Sequence, residues 1–354
     1  MIAFLNNSEQ AREQEVGATN IQSPPQKIME GLRRMGLLAA AGAPQGCPLA
    51  GGVSSDIWRV NLPDGPICVK RALPKLRVAM DWQAPIARNM YEARWMRRAA
   101  ATVPRAVPKL LGQDETSGTL AMEYLAPEDY PLWKAELRKG SADPIFARAV
   151  ASVLVQIHAT TSADPSVAAE FPTDQIFRQI RLEPYLLATA HAHADRADVL
   201  VRLAEETARV KCALVHGDVS PKNILIGAHG PIFLDAECAW WGDPAFDLAF
   251  CLNHLLLKCL WVPGARDSFL LCFQAMVDSY LTGVCWEEPS ALERRGAHLL
   301  PALLLARVDG KSPVEYLGAE SCKNQVRRVA RALLARPEER LDSVCDAWVE
   351  ELKR

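Results

Sequence analysis

Apolar positions change their spacing along this chain. Between residues 28 and 38 they recur at helical spacing, with Ile28, Leu32 and Met35 on one side, which predicts a short amphipathic helix. Short strand-like runs follow: Ile57-Trp58-Arg59-Val60, Ile67-Cys68-Val69-Lys70, then residues 107–112 and 119–125. Asp64-Gly65 between the first two marks a hairpin. One helix interrupts these strands over residues 85–101, with Ile86, Met90, Ala93 and Ala100 on one face. Beyond Ala126-Pro127 the pattern turns mainly helical. Residues 145–160 form a strong amphipathic helix, and 248–260 read as a buried one broken by Asn253, His254 and Lys258. From Ser268 onward helices alternate with short loops. Embedded in the helical part are short apolar strands around Leu214-Val215, Ile224-Leu225-Ile226 and Ile232-Phe233-Leu234, with polar residues clustered where they end.

This pattern predicts an α+β fold of two lobes, a small mainly β lobe followed by a larger mainly helical one. The expected division is a flexible extension over 1–25, a first lobe over 26–125 and a second over 126–354. The extension is polar and ends in Ser23-Pro24-Pro25. Ala126-Pro127 is the expected hinge.

Composition narrows the function. The 354 residues suffice for two lobes, and a formal net charge of −2 with no strongly basic run argues against a dedicated nucleic-acid binder. No run of eighteen apolar residues suits a membrane span. Ten scattered cysteines form no CxxC pair and read as reduced thiols, which with no secretory leader predicts a cytoplasmic protein. Oligomeric state leaves no signal.

The chemistry concentrates in His216-Gly217-Asp218-Val219-Ser220-Pro221-Lys222-Asn223 and Asp235-Ala236-Glu237. Phosphoryl transfer needs a carboxylate to orient the attacking hydroxyl and oxygen ligands for magnesium. Asp218 on a loop, Asn223 five residues on and Asp235 after the next strand supply those groups. In an ordinary hairpin the same Asp and Asn would only make turns.

His216-Gly217-Asp218 with Asn223 resembles the catalytic loop of the aminoglycoside phosphotransferase family, relatives of the protein kinases. The Asp-x-Glu of Asp235 and Glu237, and the segment Lys70-Arg71-Ala72-Leu73-Pro74, resemble methylthioribose kinases of the same superfamily. Residues 241–249 match the segment that follows in such kinases, and a looser likeness runs from about Gly51 to Val308. Asn223 follows the aminoglycoside phosphotransferase form, so the chain borrows from both groups.

The resemblance implies a protein-kinase-like fold and an ATP- and Mg2+-dependent kinase of a small hydroxylated molecule. Asp218 would orient the hydroxyl, Asn223 and Asp235 would hold magnesium, and Glu237 would add a second metal contact or bind substrate. Lys70 would reach the nucleotide phosphates with Glu92 as its partner; Arg88, four residues before Glu92, offers that glutamate a surface alternative. The turn at Gly51-Gly52-Val53-Ser54 would lie over the nucleotide, with Ser54 as a contact. Main-chain groups of Glu123 to Leu125 would meet adenine. His158 and His216 would brace the catalytic loop, and Asp247 would accept its N–H groups. Asp243 would do likewise or face substrate.

A small neutral or weakly cationic polyol, a sugar or amino alcohol, is the expected acceptor. Asp243 and Glu237 beside the loop would disfavour strongly anionic molecules. Aminoglycoside modification is the alternative, followed by a nucleotide-binding pseudokinase. Protein kinase activity lacks support, because Asp-Phe-Gly is missing and three residues separate Glu237 from Trp241. His191-Ala192-His193 reads as surface. Arg307-Val308-Asp309-Gly310-Lys311 reads either as part of a substrate pocket or as a helix C-terminus capped by Gly310.

Overall fold

The computed structural model describes residues 21–49, 55–73, 86–162 and 164–354. The chain divides into two units. One holds residues up to Ala93 together with Pro108–Leu125; the other holds Arg94–Val107 and Ala126–Arg354.

The first unit is built on a five-stranded antiparallel sheet: β1 (Gln45–Pro48), β2 (Ser55–Leu62), β3 (Gly65–Ala72), β4 (Leu110–Asp114) and β5 (Thr119–Glu123), in the order β1-β2-β3-β5-β4. The β2–β3 hairpin closes with Leu62 opposite Gly65. Gly65 takes φ +123°, open to glycine and strained for other residues. The sheet buries Trp58, Val60, Ile67, Val69 and Ala121 against Ile28 and Leu32 of the Gln26–Arg34 helix. That helix stops before Met35, which packs at the margin of the same cluster.

The next helix runs Arg88–Thr102 and is shared between the units. Its buried positions are Arg88, Asn89, Tyr91, Glu92, Ala93, Trp95, Met96 and Ala99. The face expected from the sequence is thus corrected: Ile86 lies in a turn ahead of the helix and is 42% exposed, while Trp95 is almost wholly buried. A bulky aromatic dominates burial where the apolar period is weak.

The second unit is mostly helical. Pro144–Thr161 begins with Pro at its first position, and the Asp143 side chain accepts the Ile145 N–H. Ala245–Trp261, Arg266–Gly283 and Pro289–Asp309 carry most of the remaining core, including Leu248, Leu252, Phe273 and Leu304. Two small antiparallel pairs lie among these helices: β6 (Ala213–Val215) with β9 (Trp240–Gly242), and β7 (Ile224–Gly227) with β8 (Gly230–Phe233). Between the helices Asp174–Phe177 and Ala188–Ala192 runs a π-helical stretch, Arg178–Leu187. Pro184 inside it has no N–H to donate and cannot continue an ordinary α-helical ladder. Among the described residues no helix is long and apolar enough to cross a membrane.

Candidate active site

The loop from β6 to β7 is held from below. Asp247, fully buried near the start of the Ala245–Trp261 helix, accepts the N–H of His216 at 2.7 Å and of Gly217 at 2.8 Å. Behind it His158 Nε2 lies 3.3 Å from Asp247 Oδ2, while His158 Nδ1 meets the Tyr280 hydroxyl at 2.6 Å. A buried carboxylate needs donors, and here backbone and imidazole supply them. His216 sits edge-on to Trp95, with Nε2 3.1 Å from the Leu234 carbonyl and Nδ1 accepting the Asp218 N–H at 3.1 Å. Burial pushes the His216 imidazole below its ordinary value, against the pull of Asp247 and Asp218. A neutral ring suits its acceptor role at Nδ1.

Gly217 is required by two constraints. Its φ is +80°, and a Cβ there would stand 2.7 Å from the Cys238 carbonyl oxygen. Only glycine combines that backbone conformation with so close an approach.

Asp218 is buried and doubly ion-paired. Arg181 Nη2 lies 3.0 Å and Lys222 Nζ 3.1 Å from its Oδ2. Burial alone would raise the carboxyl, but Arg181 and then Lys222 outweigh it and hold Asp218 below the usual carboxylate range. Arg181 also donates through Nε to the Gly217 carbonyl and through Nη1 to the Ile180 carbonyl. Lys222 leaves about half of its side chain exposed; desolvation opposes its charge, yet Asp218 and Asp235 hold its ammonium above its ordinary value.

The remaining oxygen groups converge through the β7–β8 hairpin. Asn223 Nδ2 donates to the Asp218 carbonyl at 3.1 Å, and the Leu234 N–H donates to the Asn223 carbonyl at 2.9 Å. Asp235 follows directly, with φ +66°, unique for a non-glycine residue among those described. Such a conformation is uncommon outside Asn, Asp and Gly and marks functional segments. Its charge bears on Asp218, and that of buried Glu237 bears on Arg181. Asp218, Asn223, Asp235 and Glu237 thus gather in one unit.

In the other unit Lys70 lies on β3, the middle strand of the sheet. Its Nζ is 2.7 Å from Glu92 Oε2, and both side chains are about 95% buried. Arg88 donates elsewhere, to the Leu73 carbonyl at 2.6 Å. Glu123 ends β5; its N–H donates to the Lys109 carbonyl, so a ligand could use its carbonyl and the main chain at Leu125. Ser54 and the glycines before it lie outside the described residues.

Three other sequence readings resolve here. Asp243 does not reach the catalytic loop; it is ion-paired with Arg295 at 2.9 Å and accepts the Ala245 N–H. Its charge is therefore met within the protein. His193 is half-buried rather than a surface residue, bridging Asp309 at 2.8 Å and Arg331 at 3.0 Å. Pro289–Asp309 does end at Asp309, but Gly310 is extended (φ −81°, ψ −172°) and not a left-handed cap. Arg181 has no local signal in sequence: it precedes Asp218 by 37 residues, in a stretch without clear period.

Comparison with known proteins agrees with this geometry. The sequence model of the phosphotransferase enzyme family matches residues 45–270. Methylthioribose kinase of Cronobacter sakazakii is 26% identical over 227 residues, 56% of this chain and 56% of its own length. Methylthioribose kinase 1 of Oryza sativa subsp. japonica is 25% identical over 233 residues, 57% and 54% of the two chains. The chain spans little more than half the length of these curated relatives. Among solved structures, an ethanolamine kinase of Plasmodium vivax matches with a TM-score of 0.52 at 13% identity, covering 83% of this chain and 82% of its own. An amicoumacin kinase matches with a TM-score of 0.50 at 13% identity, covering 84% and 90%. These likenesses show the fold: α+β and protein-kinase-like, with a small sheet-based part and a larger helical part.

Proposed function

The chain belongs to the phosphotransferase enzyme family, and on that premise we propose that it transfers the γ-phosphate of ATP to a hydroxyl of a small metabolite such as a sugar or amino alcohol. The observation that carries the reading is Asp218. It is a buried carboxylate kept ionised by Arg181 and Lys222, on a loop fixed by Asp247. Methylthioribose kinases, by their name, act on a thio-sugar, which supports a sugar-like acceptor.

In this reading residues 26–125 bind nucleotide and 126–354 carry catalysis and acceptor. Lys70, steadied by Glu92, meets the nucleotide phosphates as a point charge. Ser54 and the main chain at Glu123 and Leu125 complete the nucleotide contacts. Asp218 orients the acceptor hydroxyl and takes its proton late; a loose transition state needs placement more than basicity.

The donor set fits magnesium. Asn223, Asp235 and Glu237 offer amide and carboxylate oxygens, the hard ligands that ion prefers. No cluster of three or more His, Cys, Asp and Glu suited to a metal is found among the described residues. When bound, the ion neutralises charge on those phosphates. Ten free cysteines, five of them buried, fit a reducing, cytoplasmic setting.

The test is ADP release across sugars, amino alcohols and aminoglycosides. Acceptor-dependent release is expected, reduced by about 10²–10⁴-fold in Asp218→Asn. Asp235→Asn should also weaken magnesium-dependent nucleotide binding. Near-normal turnover in Asp218→Asn would remove the role given to that carboxylate. Release driven by aminoglycosides alone, with a matching rise in bacterial tolerance, would replace the metabolite by the drug.

A further inference from the structure

The Ala245–Trp261 helix carries one row of side chains that begins at the catalytic loop and leads away from it. Asp247, Phe250, His254, Lys258 and Trp261 follow at spacings of three and four, so they share a face. Asp247 holds the loop. His254 lies two turns on, about 10 Å along the axis, and Lys258 one turn further.

The row is linked to Asp218 by direct contacts. Arg181, which pairs with Asp218, lies 5.7 Å from the ring centres of both Tyr185 and Phe250. Phe250 stands edge-on to His254 with centres 5.6 Å apart. Arg307 lies over Tyr185 and donates to its hydroxyl at 3.2 Å. Beyond them Lys258 sits against Trp261 and Tyr316, 4.8 and 4.6 Å from their ring centres.

Two buried cations and one buried neutral imidazole stand together here, with Arg307 Nη1 also donating to the carbonyl and hydroxyl of Ser312. His254, Lys258 and Arg307 are each at least 94% buried. His254 Nε2 and Arg307 Nε are buried and meet no hydrogen-bond partner. The Tyr316 hydroxyl lies 3.5 Å from His254 Nδ1; with that hydroxyl donating, Nε2 carries the proton and is left as a donor. Lys258 has no carboxylate partner among the described residues. Glu315, the acidic group bearing on it, is engaged by Lys134. Burial, and then Lys134, push the Lys258 ammonium down to about 7, against the pull of Glu315. Burial pushes His254 well below its ordinary value, helped by Arg307, Lys258, Lys222 and Lys134. Buried donors and cations without partners are unfavourable unless a ligand meets them.

We propose that the acceptor carries an anionic group, a carboxylate or a phosphate, bound by His254, Lys258 and Arg307 while its hydroxyl is presented to Asp218. This rests on the phosphotransfer reading for the hydroxyl alone; the anion site stands on its own contacts. The repulsion expected from Asp243 is reduced, because Arg295 pairs with it while also holding Glu287. A polycationic acceptor would meet like charge at Arg307 and at the protonated Lys258.

Binding to the nucleotide-free chain decides the matter, measured by calorimetry with D-gluconate and D-ribose 5-phosphate against their uncharged counterparts D-glucitol and D-ribose, and with D-glucosamine. At least one anion is expected to bind about tenfold more tightly than its uncharged counterpart. Lys258→Met, which keeps length and apolar contact, should erase that preference, and His254→Gln should weaken it. Response to gluconate alone names a carboxylate; response to ribose 5-phosphate alone names a phosphate. Equal binding of uncharged or cationic probes, or a preference unchanged in both variants, overturns the proposal. If the preference holds while no acceptor supports ADP release, the phosphotransfer reading falls and the anion site stands. Release driven by uncharged acceptors alone, with no anion preference, has the opposite meaning.

Discussion

Single residues set two responses to pH, in separate windows. Asp114 is buried beside Arg34, and hydrogen bonds from Arg34 and Ser117 hold its carboxyl down at about 2, against desolvation. A depressed carboxyl contributes stability above its ordinary value near 4, and that contribution is lost as pH falls toward 2. Arg34 is 41% exposed, so solvent screening limits the gain to about 1 kcal/mol. Asp114→Asn should therefore flatten the acid limb of stability between pH 4 and 2, read by denaturant titration. Lys258 contributes a penalty instead of a gain, and its window lies at higher pH. With its ammonium lowered to about 7, the full penalty of burying the charge applies below 7 and is relieved as pH rises toward 10. Lys258→Met should raise Tm at neutral pH, and the gain should shrink as pH rises. A third residue tests sterics: Gly217→Ala forces a methyl against the Cys238 carbonyl and should abolish turnover with loss of about 2–4 kcal/mol in stability.

At the scale of elements, what was legible depended on how local the signal is. His216-Gly217-Asp218, Asn223 and Asp235 were readable because a tight loop and one hairpin keep them close in sequence. The Lys70–Glu92 pair was readable as a strand end facing a helix. Arg181 was not, because a cation in a π-helical stretch has no spacing that ties it to a loop 37 residues later. The buried face of Arg88–Thr102 agrees with the expected one at Ala93 but not at Ile86, which lies ahead of the helix, and it includes the polar Arg88, Asn89 and Glu92, which no apolar period can signal. The Asp143 cap of Pro144–Thr161 is a plain element-level test. Asp143→Ala removes the acceptor for the Ile145 N–H and should cost about 1 kcal/mol, measured by chemical denaturation, with catalytic parameters unchanged.

At the scale of the whole molecule, the apolar period changes near residue 126, where the sheet-based unit ends, while Arg94–Val107 groups with the helical unit, which the period did not signal. The acceptor side was not, because it draws on Arg181, His254, Lys258, Arg307 and Tyr316, and only packing brings these together. The Ala245–Trp261 helix joins the two ends of this arrangement. Its first turn holds the Asp218 loop through Asp247, and on the proposed reading its last turns would select the molecule through His254 and Lys258. Point replacements in the later turns leave the anchor in place, whereas one inserted residue would rotate everything after it by about 100°. On the proposed reading, substitutions in the later turns would alter which molecule is held while leaving the chemistry intact, and a slip in length would disrupt both.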